Sequence, residues 1–169
     1  MQVKQAKSGD MTEPGLKTRR PAIEEDTLLP RDMHRSLPIA LLRAREAVMG
    51  RFRPLLAAHD VTEQQWRVIR VLGETSPLDA TELAERACVL APSLTRIIKA
   101  LEDRGLITRE RDAKDGRRAI LAIAPAGMAL IGKVTPESRA VYADLEARYG
   151  AKQIDRLLDM LDELAKLKL

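Results

Sequence analysis

Apolar residues recur at helical spacing from Leu37 through Leu41, Ala44, Val48, Phe52 and Leu55, which predicts an amphipathic helix running to about Ala58. Ser36 is a suitable N-cap, and Pro38 fits the first turn. The stretch "HDVTEQQW" gives a fresh start, because Gln65 follows Thr62 by three residues in a capping-box pattern. Trp66, Ile69, Val71 and Leu72 face inward on this second helix, which stops at Gly73 to Pro77. Asp79 or Thr81 begins a short third helix that buries Leu83 and Ala84. After a tight turn around Cys88 to Ala91, a fourth helix carries Pro92 in its first turn. It buries Leu94, Ile97, Ile98 and Leu101, and Gly105 ends it. Two short helices joined by a brief turn are the signature of a helix-turn-helix.

Beyond Gly105 the pattern changes. Leu106 to Arg109 and Ala119 to Ala124 read as strands, separated by the polar run "ERDAKDGRR", which makes a long-looped hairpin. Pro125 and Gly127 then open a long helix to about Tyr149. A last amphipathic helix spans Ala151 to Leu167, with Ile154, Leu157, Leu158, Leu161, Leu164 and Leu167 on one side. The expected fold is mainly α with a small β-wing: a winged helix-turn-helix over residues 61–124, flanked by helical dimerisation regions at 33–60 and 125–169. Residues 1–32 carry Gly9, Pro14, Gly15, Pro21 and Pro30 without a sustained period, and read as a flexible arm.

Composition narrows the class. The 169 residues are 45% apolar, enough for a real core, and 32% charged, which suits a water-facing surface. The uncharged apolar runs are too short to cross a bilayer, and the N-terminus lacks the apolar core of a secretory signal. A cytoplasmic protein with no membrane partner is therefore expected. The single cysteine excludes an intramolecular disulfide and a four-cysteine zinc site. Aromatics at 2% are too few for the stacking platforms of single-strand binders. His34 and His59 stand apart, with no Cys or acid at ligand spacing, so no metal is expected. With no Ser–His–Asp order, phosphate loop or paired acids, neither enzyme activity nor a cofactor is implied.

The net charge is +4, and most of it sits in one place. From Arg104 to Arg118 six basic residues face three acidic ones, a local excess of three. A winged helix can lay its second helix in the major groove of double-stranded DNA while the hairpin reaches the neighbouring backbone or minor groove. Ser93, Thr95, Arg96 and Lys99 lie off the apolar face of the fourth helix. With Arg111, Lys114, Arg117 and Arg118 of the wing, they are the candidate DNA contacts. Arg117 suits a narrow, negative minor groove. Asp115 would be repelled by phosphate, and braces Arg117 or Arg111 instead.

These residues resemble the MarR family of bacterial transcriptional regulators from about Met33 to Leu167. The stretch "RGLITRERDAKDGRRAILAIAPAG" is similar to that family's wing, with Asp115 and Arg117 at the two positions of its Asp-x-Arg motif. "IAPAG" departs from the usual Leu-Thr pair, which alters a helix cap rather than the DNA-facing chemistry. "SLPIALLRAREAVMGRFRP", "VTEQQWRVIRVL" and "RACVLAPSLT" resemble the branch that represses homoprotocatechuate (aromatic-acid) degradation. The resemblance implies a homodimer whose first and last helices interleave, bound to a pseudo-palindromic operator. The Leu-rich last helix agrees, since so broad an apolar face needs a partner. It also implies a small phenolic or aromatic carboxylate as effector, bound between the dimer helices and the winged helix. Ser36, Arg43, Arg45, Trp66 and Arg70 are the candidates for that site. The same arginines can equally form structural ion pairs with Glu46 or Glu74.

The expected function is repression of aromatic-catabolic genes, relieved by that acid. An architectural DNA binder without an effector is one alternative, and a redox-sensing regulator using Cys88 is another. Cys88 lies between Ala87 and Val89, a setting that favours core packing over reactivity.

Overall fold

A computed structural model of the chain describes residues 36–111 and 118–167. Two compact units are distinguished, Met1–Ala40 and Leu41–Leu169. The arm at residues 1–32, His34, Lys114, Asp115 and Arg117 lie outside the described residues. In chain order the elements are α1 (Leu37–Ala58), α2 (Glu63–Glu74), β1 (Leu78–Asp79), α3 (Ala80–Arg86), α4 (Ala91–Asp103), β2 (Ile107–Arg111), β3 (Ala119–Ile123), α5 (Pro125–Tyr149) and α6 (Ala151–Lys166). This is the mainly α fold with a small β-wing that the hydrophobic pattern predicts.

Local chemistry sets several of the boundaries. Thr62 caps α2 with a full capping box: its hydroxyl accepts from the Gln65 amide at 3.2 Å, and the Gln65 side chain accepts from the Thr62 amide at 2.9 Å. Asp79 is the N-cap of α3, accepting from the Glu82 amide at 2.9 Å. Gly105 follows α4 at φ +64°, a conformation that costs glycine nothing. At Gly127 an added Cβ would lie 2.2 Å from the carbonyl oxygen of Leu106, so only glycine lets α5 start so close to the wing.

The sheet has three strands in the order β1-β3-β2, all antiparallel. β1 was not expected; its two residues are too few to show an alternating pattern. β2 starts one residue later than expected and runs two further, to Arg111, which pairs with Ala119. Of its five residues only Ile107 is buried, so polar side chains hid its end.

The core gathers Leu56, Val61, Val68, Ile69, Leu72, Leu78, Leu83, Leu94, Ile97, Ile98, Leu101, Leu106, Ile107, Leu121 and Val134. The four expected core positions of α4 are all buried. On α2 the pattern is shifted: Val68 is buried with Ile69 and Leu72, whereas Trp66 and Val71 are only half-buried. Ala84 is likewise half-buried against the core. Ser76 joins α2 to the wing by donating to the Leu72 carbonyl and accepting from the Ile123 amide at 3.1 Å. α1 and α5 are linked by an Arg51–Asp144 ion pair and by Phe52 and Tyr142 rings 5.1 Å apart, and His59, just past the end of α1, contacts Glu137 of α5 at 2.9 Å. α6 buries none of its residues, and Leu157, Leu158 and Met160 are exposed.

Candidate nucleic-acid interface and neighbouring cavity

Thr95, Arg96 and Lys99 are exposed on α4, and Ser93 is half-buried beside them. The Thr95 hydroxyl donates back to the Ala91 carbonyl at 3.4 Å. Leu90, the N-cap of α4, is 78% exposed, an apolar side chain at the start of this helix that the sequence reading did not single out. Arg109 and Arg111 are exposed on β2. Two other cations of the basic segment are occupied. Arg104 donates to the Asp60 carbonyl at 2.6 Å, and Arg118 pairs with Asp79 at 2.8 Å. The carboxylate that braces a described wing arginine is therefore Asp79.

Two non-glycine residues among those described have positive φ, Asp60 at 56° and Cys88 at 48°. Asp60 sits in the turn between α1 and α2 and Cys88 in the turn of the helix-turn-helix itself, and each has its carbonyl held by an arginine from another element. Arg104 holds Asp60, and Arg67 of α2 donates from Nη1 to the Cys88 carbonyl at 2.8 Å. The amides of Cys88 and Val89 close the turn onto Glu85 and Ala84. The expectation that Cys88 packs in the core is wrong, because its side chain is exposed. The left-handed twist at Cys88 turns that side chain outward while Ala87 and Val89 go in.

Beside this turn is a cavity of about 550 Å³. Three helices line it with the same periodicity. α1 supplies Arg45, Val48, Met49, Phe52 and Leu56; α2 supplies Glu63, Trp66, Arg67, Arg70 and Val71; α5 supplies Thr135, Ser138, Arg139 and Tyr142. Spacings of three, four and seven put each set on one helix face. Arg86, Ala87 and Cys88 close it on the helix-turn-helix side. Arg45 pairs with Glu63 and, at 2.8 Å, with Glu46; Arg86 pairs with Glu82 at 2.6 Å. Arg70 and Arg139 have no carboxylate partner among the described residues, and Arg67 Nε is buried without an acceptor.

Of the expected effector residues, Arg45, Trp66 and Arg70 line this cavity together. Arg43 does not; two positions from Arg45 on a helix is about 200° around the axis. Ser36 lies in the other unit, where its carbonyl accepts from the Ala40 amide at 2.8 Å. Glu63, Arg67, Arg139 and Tyr142 were missed. The spacing Glu63–Trp66–Arg67–Arg70 was visible on α2, but which face looks into a cavity is not a property of one helix. Among the described residues no cluster fits a metal ion, and no helix is long and apolar enough to cross a membrane.

The sequence pattern of the MarR family matches residues 61–119. The chain is 41% identical over 135 residues to the homoprotocatechuate degradative operon repressor of Escherichia coli, covering 80% of this chain and 91% of that protein. Among solved structures it is similar to NadR in complex with 4-hydroxyphenylacetate, at 40% identity and a TM-score of 0.72, over 83% of this chain and 100% of the other. It is also similar to the transcriptional repressor CouR bound to a 23-mer DNA duplex, at 30% identity and a TM-score of 0.72, over 78% of this chain and 93% of that one. These relatives are regulators of transcription, not enzymes, and this chain belongs to the MarR family of DNA-binding transcriptional regulators.

Proposed function

We propose that the chain is a homodimeric repressor of aromatic-compound catabolic genes, released from a pseudo-palindromic operator by a small aromatic carboxylate. The observation that carries this reading is the cavity. Its volume lies in the range of small-molecule sites, and apolar walls meet the guanidinium groups of Arg70 and Arg139, which have no carboxylate partner among the described residues. An acid docks on Arg70 or Arg139 by a charge-assisted hydrogen bond, with its ring against Trp66 and Phe52. The Glu63 carboxylate on the same wall disfavours a second acid and accepts from a ring hydroxyl. The relation to NadR, crystallised with 4-hydroxyphenylacetate, supports the same ligand class.

In this reading residues 61–124 bind DNA, with Ser93, Thr95, Arg96, Lys99 and Arg111 joined by Lys114 and Arg117. Residues 33–60 and 125–169 dimerise, covering the apolar faces of α1 and α6. The acid must bind one arrangement of the recognition helices better than the other, since a ligand shifts an equilibrium only by its differential affinity. Arg67 is the direct route, touching both the cavity and the turn that launches α4.

The test is an anisotropy titration of a DNA duplex from upstream of the protein's own gene. Dihydroxyphenylacetate, hydroxycinnamates and benzoates are added in turn. Release by one of them, weakened in Arg70→Ala without loss of ligand-free DNA affinity, supports the reading. If none releases DNA at millimolar concentration, the effector role is wrong and an architectural DNA binder remains.

A further inference from the structure

We propose that Asp79 is the positioning residue that sets the wing against the recognition helix, and that Arg118 serves Asp79 rather than touching DNA. Three constraints converge on this one residue. Its backbone lies in β1, opposite Ile120 of β3. Its Oδ1 accepts from the Glu82 amide at 2.9 Å and so starts α3. Its Oδ2 accepts from Arg118 Nη2 at 2.8 Å, at the root of the hairpin just before β3. One carboxylate therefore joins the first helix of the helix-turn-helix to the base of the wing.

The surroundings make this joint consequential. β1 is two residues long, so few backbone bonds tie the hairpin to the rest of the sheet at that edge. Asp79 is half-buried, with its side chain 22% exposed, whereas Arg118 is 59% exposed. The acid is thus the more enclosed partner, and the guanidinium reaches it from the solvent side. Because the wing and α4 must meet one duplex together, an error in their relative angle is felt as lost affinity even where no contact residue has changed. A guanidinium already held by a carboxylate would have to surrender that bond to reach a phosphate.

The experiment uses the full chain and a DNA duplex selected by that chain from a random pool. Affinity is measured across a salt series for Asp79→Asn, Arg118→Gln and the double variant, with melting temperature alongside. Asparagine caps a helix as well as aspartate, so Asp79→Asn keeps the α3 start and removes mainly the ion pair. Each single variant is expected to bind about threefold to fivefold more weakly, with the double variant no weaker than either. The slope of affinity against salt stays at the parent's value, and Arg118→Lys recovers part of the loss.

A different pattern overturns the proposal. If Arg118 contacts phosphate, Arg118→Gln lowers the salt slope by about one while Asp79→Asn leaves affinity unchanged or raised. Parent-like affinity in both singles overturns it as well. Should Asp79→Asn fail to fold, Arg118→Gln leaves the cap intact and its salt slope alone decides between the two roles.

Discussion

Replacing Arg67 with Met keeps the length and apolar stem of the side chain but removes its hold on the Cys88 carbonyl. That bond has a charged donor and a 2.8 Å length. Hydrogen bonds of this kind contribute roughly 1.5–3 kcal/mol, and partial exposure here argues for the lower end, about 1.5 kcal/mol. At 169 residues such a loss lowers the melting temperature by about 3–6 °C. A second change separates the bond from simple loss of packing. Cys88 has φ +48°, which costs a side chain-bearing residue roughly 1 kcal/mol and glycine nothing. Cys88→Gly relaxes the same turn by another route, and should stabilise the chain by up to about 0.5 kcal/mol net of glycine's entropy. If Arg67 exists to hold that turn, the double variant recovers part of the Arg67→Met loss. The functional assay is the factor by which an effector weakens DNA binding. In Arg67→Met this factor should fall toward one, while effector affinity for the free protein changes less. Melting and coupling equal to the parent would refute the argument that Arg67 ties the cavity wall to the turn before α4.

Gly127→Ala should destabilise by about 1–3 kcal/mol, because its new methyl meets the backbone oxygen of Leu106 and not a side chain that can move away; chemical denaturation reads this directly. Arg70→Ala should weaken an aromatic acid in calorimetry, whereas Arg43→Ala, outside the cavity lining, should bind it like the parent. The α1–α5 seam should weaken in acid. The hydrogen bond from Arg148 and the charges of Arg148 and Arg51 hold the Asp144 carboxyl below the usual carboxylate range. A depressed folded pKa means this contribution is present above the unfolded value and is lost as pH falls through the folded one. Melting profiles of the parent and Asp144→Asn should therefore converge at low pH and separate toward neutrality.

The sequence by itself determined the order of elements and most of their ends. Thr62 with Gln65, Pro92, Gly105 and Pro125 are local signals, and each acts through backbone geometry that needs no distant partner. The four buried positions of α4 were legible because a helix in contact with one core shows its apolar side plainly. The basic wing was legible as charge against chain position, and with it the nucleic-acid class.

What the tertiary structure decided lies where a residue's fate depends on an element far away in sequence. β1 exists because β3 lies beside it, not because two residues favour a strand. Cys88 looks like a core residue between Ala87 and Val89, yet a left-handed backbone held by Arg67 turns it outward. Arg104 and Arg118 count as wing charge in the sequence, but the fold spends both on a carbonyl and a carboxylate of other segments. The cavity is the clearest case. Each of three helices shows its stripe at spacings of three, four and seven, and nothing within one helix says which stripe meets the others. Only packing brings Arg70, Arg139 and Trp66 to one space, because the direction of a helix face is fixed by its neighbours and not by its own period.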